Sequence, residues 1–169
     1  LFQDATAETD EKEQNTKPHN HFSAVVKRLE EFSDKMKEKK KTFTFSLLKG
    51  DSKETMPRAE KELKKADFAF VDGGHSEETI LSDYENLIHV PVVVLDDYYS
   101  KDVDGKIPGD EFLGTNRLLE TMKGNSRVYV LPSQDRVKDG GTVHLMVRLK
   151  TDDLPDLPKS LSRTPIIVQ

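Results

Sequence analysis

Two short apolar stretches that end in acidic residues constrain the fold of this chain more than any other feature. Phe68–Val71 is followed by Asp72 and two glycines. Val92–Leu95 is followed by the adjacent acids Asp96 and Asp97. Both stretches are apolar at successive positions, as expected of parallel strands that are covered on both faces. Open α/β sheets present their chemistry at the carboxyl ends of such strands, so the sequence predicts three carboxylates close together.

Helix and strand patterns alternate along most of the chain. Apolar residues at helical spacing predict helices, and short β-branched or aromatic runs predict strands. The predicted helices cover residues 22–39, 57–66, 77–88 and 115–123, and the predicted strands cover 42–48, 68–71, 92–95, 127–131 and 142–149. This order predicts a mostly parallel α/β sheet with a C-terminal antiparallel strand pair. We expect a polar loop at 1–21, the α/β domain at 22–150 and an extended tail at 151–169.

Composition narrows the classes of partner. The 169 residues suffice for one domain with a core, and they carry a net charge of −5 without a broad basic face, so nucleic acid is not the expected partner. The absence of cysteine excludes disulfides and thiolate metal sites. No apolar run approaches the roughly 20 residues of a membrane helix, and no signal peptide is visible, so we expect a cytoplasmic protein. Whether it forms a homo-oligomer stays open, and His19 and His21 are interpreted as solvated loop residues.

The acids at the two strand ends allow two interpretations. An isolated Asp before glycine is usually a turn residue that caps the next helix. Adjacent carboxylates at a buried strand end repel each other unless a positive charge neutralises them, and Mg²⁺ with oxygen ligands is the simplest candidate. The alternative is a hydrogen-bonded acid pair, Asp96 and Asp97, that caps loop amides. The sequence alone leaves both open.

Two further polar residues lie beside predicted strand ends. His75 is three residues after Asp72, where a neutral imidazole could accept a proton from a substrate hydroxyl. Its alternative role is a polar contact at the start of the next helix. Asp51 follows the predicted strand at 42–48, and it could bind a nucleotide base or ribose, or simply cap the following helix.

The segments VDGGHS and VVVLDDY together resemble the class I S-adenosylmethionine-dependent methyltransferases, and most closely their small-molecule O-methyltransferase branch. The resemblance covers residues 42–149 and includes the final strand pair. It implies a Rossmann-like sheet, S-adenosylmethionine as cofactor and a small-molecule hydroxyl as methyl acceptor. As in the metal-dependent catechol methyltransferases, it implies Asp72, Asp96 and Asp97 as Mg²⁺ ligands. It also implies Asp51 and Asp72 near the cofactor, and His75 as the base where those enzymes have lysine.

One departure from the family pattern concerns the cofactor site. The glycine-rich loop that follows the family's first strand has no counterpart here, and Leu1-Phe2 resembles the end of its second strand. We therefore expect a sheet that is incomplete at its N-terminus and a chain that binds the cofactor weakly. The alternatives are a non-catalytic methyltransferase-like binding module and a metal-dependent phosphate hydrolase.

Overall fold

A computed structural model of the protein describes residues 22–101, 104–122, 126–131, 137–138 and 141–150. The predicted polar loop, the predicted tail and both His19 and His21 lie outside these described residues. The chain divides into two compact units, Leu1–Thr55 and Met56–Gln169. Within the described residues, no helix is long and apolar enough to cross a lipid bilayer.

Helix α1, Phe22–Glu38, is the main described element of the first unit. The chain that follows it forms no strand at 42–48, so the strand predicted there is wrong. Phe43 instead packs edge-on against Phe32 of the helix, with ring centroids 4.8 Å apart, and its carbonyl accepts a hydrogen bond from Ser33 Oγ. Aromatic and β-branched residues favour a strand only where a partner strand supplies hydrogen bonds, and the described part of this unit contains no such ladder.

Two short helices follow in the chain where one helix at 57–66 was predicted, and the first of them begins earlier than predicted. Helix α2 spans Ser52–Arg58 and helix α3 spans Glu60–Leu63. Pro57 was expected at the start of a helix, but it lies inside α2 near its end. Proline has no amide hydrogen to continue the helical ladder, and α2 ends one residue after it.

A five-stranded sheet organises the second unit. Its strands are β1 Phe68–Val71, β2 Val92–Ser100, β3 Ser126–Leu131, β4 Val137–Lys138 and β5 Gly141–Lys150. The order is β1-β2-β5-β3, with β4 also paired to β5. Strands β1 and β2 are parallel, whereas β5 is antiparallel to each of its neighbours. The predicted Rossmann-like α/β sheet with an antiparallel C-terminal pair is confirmed, and among the described strands the sheet is mixed, with β1 and β2 as its parallel pair.

Helices α4, Glu77–Leu87, and α5, Gly114–Thr121, pack against each other beside the sheet. A short 3₁₀ helix, Asp110–Phe112, precedes α5. The apolar core combines residues of both helices with central strand residues; its members include Val71, Ile80, Leu87, Val93, Leu95, Leu118 and Met146. Burial of each such side chain stabilises the fold by about 1.5–3 kcal/mol. Strand β1 differs, because Phe68 and Phe70 remain 57% and 51% exposed.

Candidate metal centre

The parallel pairing of β1 and β2 brings their carboxyl ends side by side. Val71 lies opposite Leu95 in the register, so the residues that follow them, Asp72 and Asp96, are neighbours. Asp72, Asp96 and Asp97 each offer one carboxylate oxygen, and these oxygens all lie within 4.8 Å of one another. Asp72 is exposed, whereas Asp96 and Asp97 are only 7% and 5% exposed. The structure thus brings the three predicted acids together.

The spacing of these oxygens fits a hard divalent cation. In octahedral coordination at Mg²⁺–oxygen distances near 2.1 Å, adjacent ligand oxygens lie about 3 Å apart and opposite ones about 4.2 Å apart. The three carboxylate oxygens lie within 4.8 Å of one another, a limit slightly wider than the distance between opposite ligands. Small rotations of the carboxylate side chains, which move their oxygens by about half an ångström, would close that difference. An all-carboxylate ligand set also matches the oxygen preference of Mg²⁺.

The same acids also accept hydrogen bonds from nearby groups. The backbone amide of Asp97 donates a hydrogen bond of 2.9 Å to Asp96 Oδ1. Tyr99 donates its hydroxyl to Asp97 Oδ1 at 3.3 Å. These contacts correspond in part to the alternative interpretation, an acid pair held by hydrogen bonds. A carboxylate oxygen has two lone pairs, so one hydrogen bond does not prevent it from binding a cation.

His75 joins the cluster through Asp97. Its Nε2 atom lies 2.6 Å from Asp97 Oδ2, and its side chain is 18% exposed. An ionised carboxylate only accepts hydrogen bonds, so Nε2 carries the proton and a neutral ring has its lone pair on Nδ1. The ring of Phe112 lies beside the imidazole, with centroids 6.0 Å apart. His75 is therefore held by a carboxylate through its Nε2 atom.

Asp51 belongs to the first unit, where it caps helix α2. Its carboxylate accepts a hydrogen bond from the amide of Lys53 at 2.9 Å, and its carbonyl accepts from Thr55 Oγ1 at 2.9 Å. These contacts are those of the helix-capping alternative. A role for Asp51 in cofactor binding stays a prediction.

The sequence interpretation missed the residues around the acid pair. Strand β2 was expected to end at Leu95, with a loop from Tyr98, but it continues to Ser100 and pairs with β5 along its length. The sequence pattern predicted a pair only between the strands at 127–131 and 142–149, so it offered no reason to extend the strand at 92–95. The contacts that Thr115 and Asn116 make with this extension had no sequence signal, since they join residues 17 or more positions apart.

Comparison with known proteins supplies the family. No curated protein and no solved structure matches the chain. Residues 4–98 match a family described as a methyltransferase domain. The match covers more than half of the 169 residues and includes Asp72, Asp96, Asp97 and His75. With the α/β sheet and the acids at its strand ends, the chain belongs to this methyltransferase domain family.

Proposed function

We propose that the protein carries out S-adenosylmethionine-dependent, metal-assisted methyl transfer to a hydroxyl group of a small molecule. Family membership supports methyl transfer in general. The finer assignment rests on one observation, the convergence of three carboxylates within 4.8 Å beside an imidazole. A hydroxyl is a weak nucleophile at neutral pH, and this arrangement offers both ways to activate it, a cation and a proton acceptor.

Asp72, Asp96 and Asp97 are the residues that would hold Mg²⁺. When bound, Mg²⁺ lowers the pKa of a coordinated hydroxyl and holds the acceptor in place. S-adenosylmethionine supplies an electrophilic methyl group on its sulfonium. Two of the three acids lie in the buried end of the sheet, which limits competition from water for the metal.

His75 is the proposed proton acceptor. Asp97 orients the ring through the Nε2 contact of 2.6 Å, so in the neutral ring Nδ1 is the nitrogen that carries the lone pair and would accept the proton. General-base catalysis of this kind contributes about 10²–10⁴-fold to a rate. Phe112 supplies an apolar surface next to the ring, on which the body of an acceptor could pack.

Isothermal titration calorimetry tests the metal and cofactor together. The full chain is titrated with Mg²⁺ and with S-adenosylmethionine, the latter with and without Mg²⁺. We expect Mg²⁺ to bind and to strengthen cofactor binding. Replacing Asp96→Asn should weaken Mg²⁺ binding by at least about tenfold, or 1.4 kcal/mol, because a buried ligand loses its charge. Asp67→Asn is the matched control, since Asp67 is an exposed acid just before β1, at the strand end away from the cluster.

The outcomes separate the three candidate functions. Cofactor binding that Mg²⁺ strengthens, and that Asp96→Asn alone reduces, supports the proposal. Metal binding without any cofactor binding contradicts it and favours a metal-dependent phosphate hydrolase. Failure to bind either ligand also contradicts it and favours a non-catalytic binding module.

A further inference from the structure

The acid pair adopts an unusual backbone conformation. Adjacent residues of a regular strand point to opposite faces, yet Asp96 and Asp97 both reach the same cluster. The register explains this, because β2 has one more residue than β5 between the pairs Leu95–Met146 and Tyr98–His144. This β-bulge contains Asp97 in a left-handed conformation, with φ of 54°. Such a conformation costs about 1–3 kcal/mol in a residue other than glycine, so surrounding contacts must maintain it.

The first turn of α5 supplies those contacts on both sides of Asp97. Thr115 Oγ1 donates a hydrogen bond of 2.9 Å to the carbonyl of Asp96. Asn116 binds the backbone of Tyr99 twice, because its side chain accepts from the amide at 2.9 Å and donates to the carbonyl at 2.8 Å. Thr115 is only 1% exposed, so its hydroxyl has little access to water as an alternative partner.

These hydrogen bonds fix the peptide plane between the two acids. Its carbonyl accepts from Thr115, and its amide donates to Asp96 Oδ1 at 2.9 Å. Rotation of this plane would break both contacts, would remove the amide that orients the Asp96 carboxylate, and would change the left-handed φ of Asp97. Loss of the threonine hydroxyl also leaves a buried carbonyl without this donor, which favours such a rotation.

The same turn contacts the segment that carries the imidazole. The amide of Gly114 donates to the carbonyl of His75 at 2.9 Å. A Cβ atom at position 114 would lie 2.7 Å from the carbonyl oxygen of Ser76 and closer still to that of His75, so only glycine allows this approach. One helical turn thus contacts both the segment after β1 and the bulge within β2.

We propose that Thr115 and Asn116 are positioning residues that hold the Asp96-Asp97 bulge and thereby set the metal affinity of the cluster. The part concerning metal affinity rests on the proposed function. The part concerning the bulge does not, because it depends only on the backbone contacts of Thr115 and Asn116. Metal affinity tests the first part, and amide hydrogen exchange tests the second.

The variant pair Thr115→Val and Thr115→Ser isolates the hydroxyl. Valine keeps the branched shape and removes the hydrogen bond, whereas serine keeps the hydrogen bond and removes a methyl group. Thr121→Val is the matched control, because Thr121 Oγ1 also donates to a backbone carbonyl, that of Leu118, at 2.8 Å in the last turn of the same helix. A general loss of helix stability affects both valine variants alike.

Two readouts are measured on each folded variant, Mn²⁺ affinity by electron paramagnetic resonance and amide hydrogen exchange by NMR. We expect Thr115→Val to weaken Mn²⁺ binding by about 10–100-fold, the range typical of residues that orient metal ligands. We expect its Asp97 amide to exchange faster. Thr115→Ser and Thr121→Val should retain Mn²⁺ affinity within about threefold and show wild-type exchange at Asp97.

Equal Mn²⁺ affinity and equal Asp97 exchange in Thr115→Val and wild type overturn the inference. If the wild type does not bind Mn²⁺, the metal part of the proposed function fails, and the exchange measurement alone decides whether Thr115 holds the bulge. If Thr115→Val does not fold, Asn116→Leu replaces it, since it removes both hydrogen bonds to Tyr99. Faster exchange at the Asp97 amide in that variant then supports the inference, and unchanged exchange there contradicts it.

Discussion

Arg148 provides the sharpest test of how the second unit is held together. It lies on β5 and is 1% exposed. Its Nη1 donates to the carbonyl of Val90 at 2.9 Å and its Nη2 donates to that of Leu87 at 3.0 Å. Its guanidinium also lies 5.2 Å from the centre of the Tyr84 ring. The last carbonyls of a helix have no partner within the helix, so Arg148 caps α4 and joins it to the sheet.

Replacing Arg148→Met keeps an unbranched side chain of similar length and removes both donors. Leaving the buried Val90 carbonyl without this donor costs about 1–3 kcal/mol, whereas the Leu87 carbonyl keeps a hydrogen bond of 2.9 Å from the Val90 amide. Loss of the cation–π contact adds about 0.5–2 kcal/mol. Removing a buried cation offsets part of this, and burial lowers the pKa of the Arg148 guanidinium, which reflects the same desolvation cost. We expect the free energy of unfolding to fall by about 2–3 kcal/mol after this offset.

Urea unfolding followed by circular dichroism measures the change. Arg148→Lys should recover only part of the stability, because a single ammonium does not reproduce the planar fork that reaches both carbonyls. Arg127→Met on β3 is the matched control, since the same substitution at this exposed position should change stability by less than about 0.5 kcal/mol. An Arg148→Met protein as stable as the wild type would refute the view that the guanidinium caps α4.

Three further predictions concern individual residues. Burial lowers the pKa of His144, so the contribution of this residue to stability should be constant above about pH 6.5 and should decrease below it, where the unfolded chain takes up a proton. His144→Gln should flatten the dependence of the free energy of unfolding on pH, measured by urea unfolding between about pH 5 and 7.5. Parallel curves for wild type and variant would contradict this prediction. Gly114→Ala should destabilise the protein by about 1–3 kcal/mol through its clash with the His75 carbonyl, measured by thermal unfolding; no change would show that the backbone relaxes freely. Ser76→Ala removes the cap that accepts from the Thr79 amide and should cost about 0.5–1 kcal/mol, whereas Ser76→Asp should retain stability.

Several elements follow from local sequence alone. Ser76 and the acids Glu77 and Glu78 predict the start of α4, and the structure places that helix at Glu77–Leu87. The short apolar runs predict β1 and the first half of β2, although only β2 is covered on both faces, since Phe68 and Phe70 of β1 remain exposed. The alternation of these elements was sufficient to predict the α/β sheet.

Other elements depend on partners distant in the chain. The run at 42–48 has the composition of a strand, but a strand forms only where another supplies its hydrogen bonds, and the described structure shows none there. The second half of β2 exists because β5, about 50 residues later, pairs with it. The residue pattern of one segment therefore predicts neither the absence of a strand at 42–48 nor the extension of β2.

The acids and the imidazole of the candidate site were identifiable from sequence, because residue type and position at a strand end are local properties. Their geometry was not. Both carboxylates point into one cluster because a bulge in β2, formed against β5, turns Asp97 into a left-handed conformation. Thr115 holds that bulge from a helix 19 residues after Asp96. Tertiary contacts alone decide the orientation of these two carboxylates. The left-handed conformation of Asp97 is unfavourable for an isolated segment and persists only where distant groups compensate for it.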